Sequence, residues 1–268
     1  MKMDTEELRT IDAVARDIAN AARAAILPHF RNRGLVQDNK EQDGFDPVTE
    51  ADRAAERAMR DILIAARPRD SILGEEFGSR SGDSGLTWVL DPIDGTRGFV
   101  SGTPTWGVLI AVSNADGPIY GLIDQPYIGE RFIGSALGAH MSGPMGESSL
   151  AVRNVKALDE AILFTTFPEV GTPDDKRGFD AVARTVKLTR FGMDCYAYAL
   201  LAAGHVDLVI EAGLQAYDIQ APLAVIEAAG GIVTDWAGQP VHQGGRALAA
   251  ATPELHAAAL ALLQQGAG

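Results

Sequence analysis

Four carboxylate-bearing stretches carry residue types and spacings that can do chemistry. The densest is Trp88-Val89-Leu90-Asp91-Pro92-Ile93-Asp94-Gly95-Thr96-Arg97. An apolar run delivers Asp91 at the end of a strand, Pro92 fixes the turn, and Asp94 follows three residues on, so both carboxylates can face one point. Gly95 admits a close backbone approach, and a helix starting near Thr96 would aim N–H groups at an anion. Two carboxylates beside an anion site repel each other and the anion unless cations lie between them. Hard oxygen ligands favour Mg²⁺, commonly held by a few carboxylates together with phosphate oxygens. Read alone, the stretch also fits a surface turn, where Asp-Pro and Asp-Gly pairs are common.

Three further stretches bear on that choice. Ile72-Leu73-Gly74-Glu75-Glu76-Phe77-Gly78 places two acids after an apolar strand, and by itself reads as an exposed acidic turn. Asp46-Pro47-Val48-Thr49-Glu50-Ala51-Asp52 opens a helix whose first-turn acids suit the helix dipole. Tyr217-Asp218 precedes another helix, where Asp is an ordinary N-cap.

The elements that must position these acids follow from periodicity. Leu8, Ile11, Val14, Ile18, Ala22 and Ile26 form one helical stripe ending near Pro28, and a second helix runs from Thr49 towards Pro68. Asn32 to Gly44 reads as a loop or ribbon. From Ser71 the period shortens. Ser71 to Leu73, Trp88 to Leu90, Thr105 to Val112, Ile119 to Ile123 and Arg131 to Ser135 read as strands. After Val155, strands at 161–166, 188–191, 206–211 and 232–234 alternate with helices at 174–186, 194–203 and 218–229. The pattern is layered α+β.

Taken together and in order, Asp-Pro-Val-Thr-Glu-Ala-Asp, Gly-Glu-Glu, Asp-Pro-Ile-Asp-Gly-Thr and Tyr-Asp-Ile-Gln-Ala-Pro resemble the inositol-monophosphatase-like superfamily of metal-dependent, lithium-sensitive phosphatases. The resemblance covers nearly the whole chain. It implies an αβαβα sandwich of two closely packed lobes, about 1–150 and 151–268, within one family domain, and a homodimer. It also implies that Glu75, Asp91 and the Ile93 carbonyl bind one Mg²⁺, that Asp91, Asp94 and Asp218 bind a second, and that Glu75 helps hold a third. Thr96, oriented by Asp46, would position the attacking water with help from Glu75, and the Gly95 and Thr96 amides would bind phosphate. Glu76 is the weaker metal candidate, since the family's ligand is the first glutamate of the pair. Paired metals suit phosphoryl transfer because they neutralise the reacting oxygens. None of the five histidines is needed for catalysis.

Substrate choice rests on the second half. Arg190-Phe191-Gly192-Met193-Asp194-Cys195-Tyr196-Ala197-Tyr198 and Val209-Ile210-Glu211-Ala212-Gly213 correspond to stretches that line the superfamily's leaving-group pocket, and with Asp218 they supply its substrate contacts. Asp194 and Glu211 would accept hydroxyl hydrogen bonds from a polyol, or a charge-assisted bond from an ammonium. Asp194 could also be a helix cap, and Glu211 could simply end a strand. Asp-Gly-Thr-Arg-Gly-Phe followed by Arg-Phe-Gly-Met-Asp-Cys-Tyr-Ala-Tyr looks most like the histidinol-phosphate phosphatase branch. Gly98 stands where the superfamily commonly has Asn, which weakens an inositol-phosphate assignment. Ser101, Thr103 and Trp106 are candidates for the pocket entrance or equally for ordinary strand-edge residues, and Arg97 for the site or for pairing with a neighbouring acid. Inositol 1-phosphate and a nucleotide 3′-phosphate are the alternative substrates, the latter with Tyr196 and Arg190 as a base platform.

Composition supplies exclusions. Of 268 residues, 23 are basic and 36 acidic, a net charge of −13, which argues against a nucleic-acid surface. An RNA-associated scaffold conflicts with that charge. A non-catalytic metal- or phosphate-binding module would be expected to have lost ligands, yet Glu75, Asp91, Asp94, Thr96 and Asp218 are all present. Cys195 is the sole cysteine, so there is no intramolecular disulfide and no cysteine-based zinc cluster. No apolar run reaches the ~18 residues of a spanning helix, and an acidic N-terminus does not suit a secretory signal. The expectation is a cytoplasmic phosphomonoesterase acting on a small phosphate ester, with no membrane partner.

Overall fold

The structure, a computed structural model, describes residues 3–33, 37–39 and 47–266. Helix α1 (Thr5–Ile26) forms where its apolar stripe was expected, and Leu8, Ile11, Ala15, Ile18, Ala22 and Ile26 are all buried along it. Strands β1 (Gln37–Asn39) and β2 (Pro47–Thr49) pair as a small antiparallel ribbon. It leads into α2 (Glu50–Ala66), whose N-terminus is closed reciprocally. The Thr49 hydroxyl accepts from the Ala51 amide at 3.1 Å, and the Asp52 carboxylate accepts from the Thr49 amide at 2.8 Å.

Eight strands follow in the order β10-β9-β8-β7-β6-β5-β3-β4. They are β3 (Ser71–Gly74), β4 (Gly78–Arg80), β5 (Thr87–Asp94), β6 (Gly107–Asn114), β7 (Gly117–Gln125), β8 (Glu130–Ser135), β9 (Gly138–Gly143) and β10 (Gly146–Ser149), with the short helix α3 (Thr96–Ser101) after β5. All neighbours are antiparallel except β3 and β5. The second sheet has the order β12-β11-β13-β15-β14. Its strands are β11 (Ile162–Thr165), β12 (Leu188–Phe191), β13 (Leu208–Gln215), β14 (Ile232–Thr234) and β15 (Gly244–Ala250), connected through α4 (Pro173–Ala183), α5 (Asp194–Ala202) and α6 (Ala216–Ala228) and followed by α7 (Pro253–Gly266).

Strand alternation fixes the layering, because successive side chains point to opposite faces. Trp88, Leu90, Val108 and Ile110 pack against α1 and α2, whereas Val89, Leu109 and Ala111 face α5 and α6. Val209, Ala247 and Ala249 of the second sheet face the same middle helices, and Leu208, Ile210, Leu248 and Ala250 face α4 and α7. The layers therefore run α1/α2, first sheet, α5/α6, second sheet, α4/α7: the expected αβαβα sandwich. The first sheet ends at Ser149 and the second begins at Ile162.

Helix α6 lies unusually close to the first sheet. A Cβ on Gly121 would stand 2.3 Å from the Ala221 carbonyl oxygen, and one on Gly134 would stand 2.5 Å from the Val225 Cα. Those two glycines let the backbone of α6 settle directly on β7 and β8, and so set where the residues at its N-terminus lie.

Sequence periodicity does not mark β4, the β9–β10 hairpin, β15 or α7. Strand β10 is exposed along its length, and β15, Gly-Gly-Arg-Ala-Leu-Ala-Ala, has little intrinsic strand preference. It is a strand because β13 and β14 pair with it on either side. Among the described residues no helix is long and apolar enough to cross a membrane. Gly134→Ala is expected to lower stability by about 1–3 kcal/mol through forced displacement of α6, read as a shift in thermal or denaturant midpoint; an unchanged midpoint would mean α6 is not held by this contact.

Candidate active site

Three backbone devices bring the acids to one place. Strand β5 carries Asp91, and its pairing with β6 slips between Asp91 and Asp94, so the intervening Pro92 and Ile93 do not continue the ladder. This bulge turns Asp94 to the same side as Asp91. The Asp91 carboxylate accepts from the Ile93 amide at 3.0 Å, and the Asp94 carboxylate accepts from the Cys195 amide at 2.7 Å. Asp218, in the first turn of α6, accepts from the Gln215 amide at 2.6 Å. One carboxylate oxygen from each of Asp91, Asp94 and Asp218 lies within 4.8 Å of the others.

These residues line a cavity of about 700 Å³. Among the described residues its acidic lining comprises Glu75, Asp91, Asp94, Glu169, Asp194, Glu211 and Asp218, Arg97 is its single basic side chain and no histidine takes part. Burial pushes the Asp91 carboxyl well above the usual carboxylate range, and the charges of Glu75, Asp94 and Asp218 push it further. Asp94 is raised likewise by burial and then by Asp218 and Asp194, against the lowering effect of the Cys195 amide. Three clustered hard oxygen donors with unfavourable mutual repulsion fit a small divalent cation.

Gly95 links this cluster to the rest of the cavity. It adopts φ 84° at the start of α3, and a Cβ there would come within 2.8 Å of the Asp194 Cβ and Cγ. Both conformation and space therefore require glycine. The Thr96 hydroxyl donates to the Ile93 carbonyl at 3.0 Å, leaving its lone pairs available as acceptors. Asp194 has φ 46°, with its carboxylate 3.4 Å from the Thr105 hydroxyl. Burial raises its pKa to about 6, opposed by Thr105 and by the positive charge of Arg97. Glu211 lies in β13 and is 7 % exposed. It accepts from the Thr166 amide at 2.8 Å and the Thr166 hydroxyl at 2.9 Å. Burial nevertheless raises its pKa to about 8, and Thr166 partly offsets that.

The structure thus brings together Glu75, Asp91, Ile93, Asp94, Gly95, Thr96, Asp194, Glu211 and Asp218. Asp46, expected to orient Thr96, lies outside the described residues. Arg190 is not brought to the cavity. It sits exposed on β12, an edge strand, and is absent from the cavity lining. Tyr196, the other half of the suggested base platform, instead donates from its hydroxyl to Glu130 and packs edge-on against Phe132. The Glu76 amide is held by the Glu56 carboxylate, and Glu76 does not line the cavity. Trp106 is fully buried against Phe30 and Phe99, so it supports α3 from below and does not shape an entrance. Ser101 and Thr103 both donate to the Gly98 carbonyl, closing α3.

Thr166, Phe167 and Glu169 also line the cavity, where sequence reasoning gave them no role, and Tyr198 of the expected pocket stretch lines it too. A usable signal exists for the first three. They follow β11, which runs parallel to β12 and β13, and the C-terminal ends of parallel strands are where ligands bind.

Two outcomes follow from these charges. In metal-free protein, Asp94→Asn keeps an acceptor for the Cys195 amide and removes one repelling charge, so at pH 8 it is expected to unfold at no lower temperature than the wild type. A clear destabilisation would show that the cluster's repulsion is not significant. For Glu211 the folded-state pKa is raised, so its contribution is favourable below the unfolded value of 4.5 and is lost as pH rises through about 8. Glu211→Gln should therefore flatten the loss of metal-free stability over that window, measured as Tm against pH. An unaltered profile would contradict the burial argument.

The chain is similar to known proteins over most of its length. The histidinol-phosphatase of Streptomyces coelicolor is 37% identical over 262 residues, spanning 94% of this chain and 96% of that one. The chloroplastic bifunctional phosphatase IMPL2 of Arabidopsis thaliana is 42% identical over 240 residues, spanning 89% of this chain and 68% of that one. An inositol monophosphatase from Zymomonas mobilis superposes with a TM-score of 0.85 at 38% identity, covering 98% of this chain and 100% of that one. Residues 7–267 match the profile of the inositol monophosphatase family, and the chain belongs to that family.

Proposed function

We propose that the chain is a Mg²⁺-dependent phosphomonoesterase whose substrate is L-histidinol phosphate. The observation that carries the substrate is the pair of carboxylates Asp194 and Glu211, set in the wall of the cavity that also holds Asp91, Asp94 and Asp218. A leaving alcohol with an ammonium group would give both acids a charge-assisted partner, which also compensates the burial that raises their pKa values. The histidinol-phosphatase likeness points the same way.

In this reading Glu75, Asp91 and the Ile93 carbonyl would hold one ion, Asp91, Asp94 and Asp218 would hold a second, and Glu75 would contribute to a third. When bound, the ions supply positive charge to the phosphate oxygens and make water more acidic. The chain's own groups do the rest. The Gly95 and Thr96 amides, at the start of α3, face the phosphate oxygens. Thr96 spends its proton on the Ile93 carbonyl, so its hydroxyl oxygen accepts from the attacking water and aims a lone pair of that water at phosphorus. Asp194 and Glu211 fix the alcohol by its ammonium group, which sets the ester oxygen in line for departure.

Phosphate release from L-histidinol phosphate, inositol 1-phosphate and adenosine 3′,5′-bisphosphate, compared as kcat/KM with Mg²⁺, tests the substrate. Histidinol phosphate is expected to lead, and Glu211→Gln to lower its kcat/KM by roughly ten- to hundredfold, from loss of a charge-assisted bond. A lead by either other ester would overturn the substrate assignment.

A further inference from the structure

Beyond the carboxylates, the cavity has a rim feature that the reaction as described does not use. Phe167 is 43 % exposed, two residues after β11, and the Arg97 guanidinium lies over its ring at 4.9 Å from the centroid. Both side chains line the cavity. Arg97 comes from the first turn of α3, which follows β5 of the first sheet, and Phe167 from the segment after β11 of the second, so the stack joins the two sheets' loops. Its position is not free to wander. Thr166, the residue before Phe167, is bonded through its amide and hydroxyl to Glu211. Arg97 is near enough to Asp194 for its charge to act on that carboxyl. The ring is thereby tied through its neighbours to both acids that take the leaving alcohol, Glu211 by way of Thr166 and Asp194 by way of Arg97. Of the other aromatic side chains in the lining, Tyr198 is buried and Tyr217 is half-buried. An exposed aromatic is unremarkable on an open surface. A half-exposed ring held by a cation, in the lining of the cavity that also carries both recognition carboxylates, presents a preset flat face.

We propose that Phe167, held by Arg97, is the surface on which a planar, heteroaromatic part of the leaving alcohol stacks, so that the pair selects ringed amino alcohols over saturated ones. This rests on the substrate reading above for the identity of the ring, and on the cavity geometry for its place. Asp194 and Glu211 then read the ammonium group, and Phe167 reads the ring attached to it. Offset stacking of two flat π systems supplies the preference. The cation above the ring polarises it and keeps it from collapsing onto the cavity wall.

The test compares L-histidinol phosphate with L-alaninol phosphate, which keeps the ammonium and phosphate groups and lacks the ring. The quantity read is the ratio of their kcat/KM values in wild type, Phe167→Ala and Phe167→Trp. Phe167→Ala is expected to lower kcat/KM for the ringed ester about tenfold, mainly through KM. It should leave the ringless ester within about twofold, because the reacting groups are untouched. Phe167→Trp should retain the preference, and a thermal midpoint near that of the wild type confirms folding. If Phe167→Ala keeps the wild-type ratio, whether both esters fall together or neither falls, the stack is overturned. That outcome is distinct from failure of the substrate reading, which is a wild-type preference for inositol 1-phosphate or the nucleotide.

Discussion

Mutual repulsion among Asp91, Asp94 and Asp218, whose carboxylate oxygens lie within 4.8 Å of one another, is the constraint from which the rest of the structure can be understood. Like charges this close, partly out of water, favour protonation, separation or a cation. Separation is blocked by backbone amides. Ile93 holds Asp91, Cys195 holds Asp94 and Gln215 holds Asp218. The three amides belong to β5, the start of α5 and the start of α6, so the scaffold keeps the charges together from three directions.

That arrangement depends on packing some distance away. Asp218 is where it is because α6 rests its backbone on β7 and β8 at Gly121 and Gly134. Asp94 is where it is because the β5–β6 ladder slips at Pro92 and Ile93, and because Phe99 anchors α3 on Phe30 and Trp106. The same α3 starts at Gly95, whose missing side chain makes room for Asp194. Phosphate-facing amides, metal-type carboxylates and leaving-group acids are thereby built on adjoining elements, and an error in one would move the others.

Much of this was legible in residue order. The Asp91-Pro-Ile-Asp94-Gly-Thr run foretold its own geometry, since proline, glycine and paired acids each restrict the backbone or the charge locally. The helical stripe of α1 and the Thr49 cap were legible for the same reason. Other features depend on contacts between distant segments. Strand β15 exists only through its neighbours, and Arg190, expected in the site because its stretch resembles the superfamily's pocket lining, is carried away from the cavity by the edge strand β12. Trp106 was a candidate for the entrance, yet packing against Phe30 and Phe99, which no local pattern announces, takes it into the core. Phe167 has no local signal except its place after a parallel strand. Recognition residues on the second sheet were thus harder to read than metal-type residues clustered within a few positions.

The central claim is that the acid cluster is held ready for a divalent cation. Calorimetric titration of Mg²⁺ into metal-free protein, repeated near neutral pH in buffers with different ionisation enthalpies, tests it most directly. Because burial and mutual repulsion raise the Asp91 and Asp94 carboxyls, the account predicts binding accompanied by proton release, seen as heats that depend on the buffer. Saturable binding should be lost in Asp218→Asn. Absence of binding, or binding with heats identical in every buffer, would contradict the account.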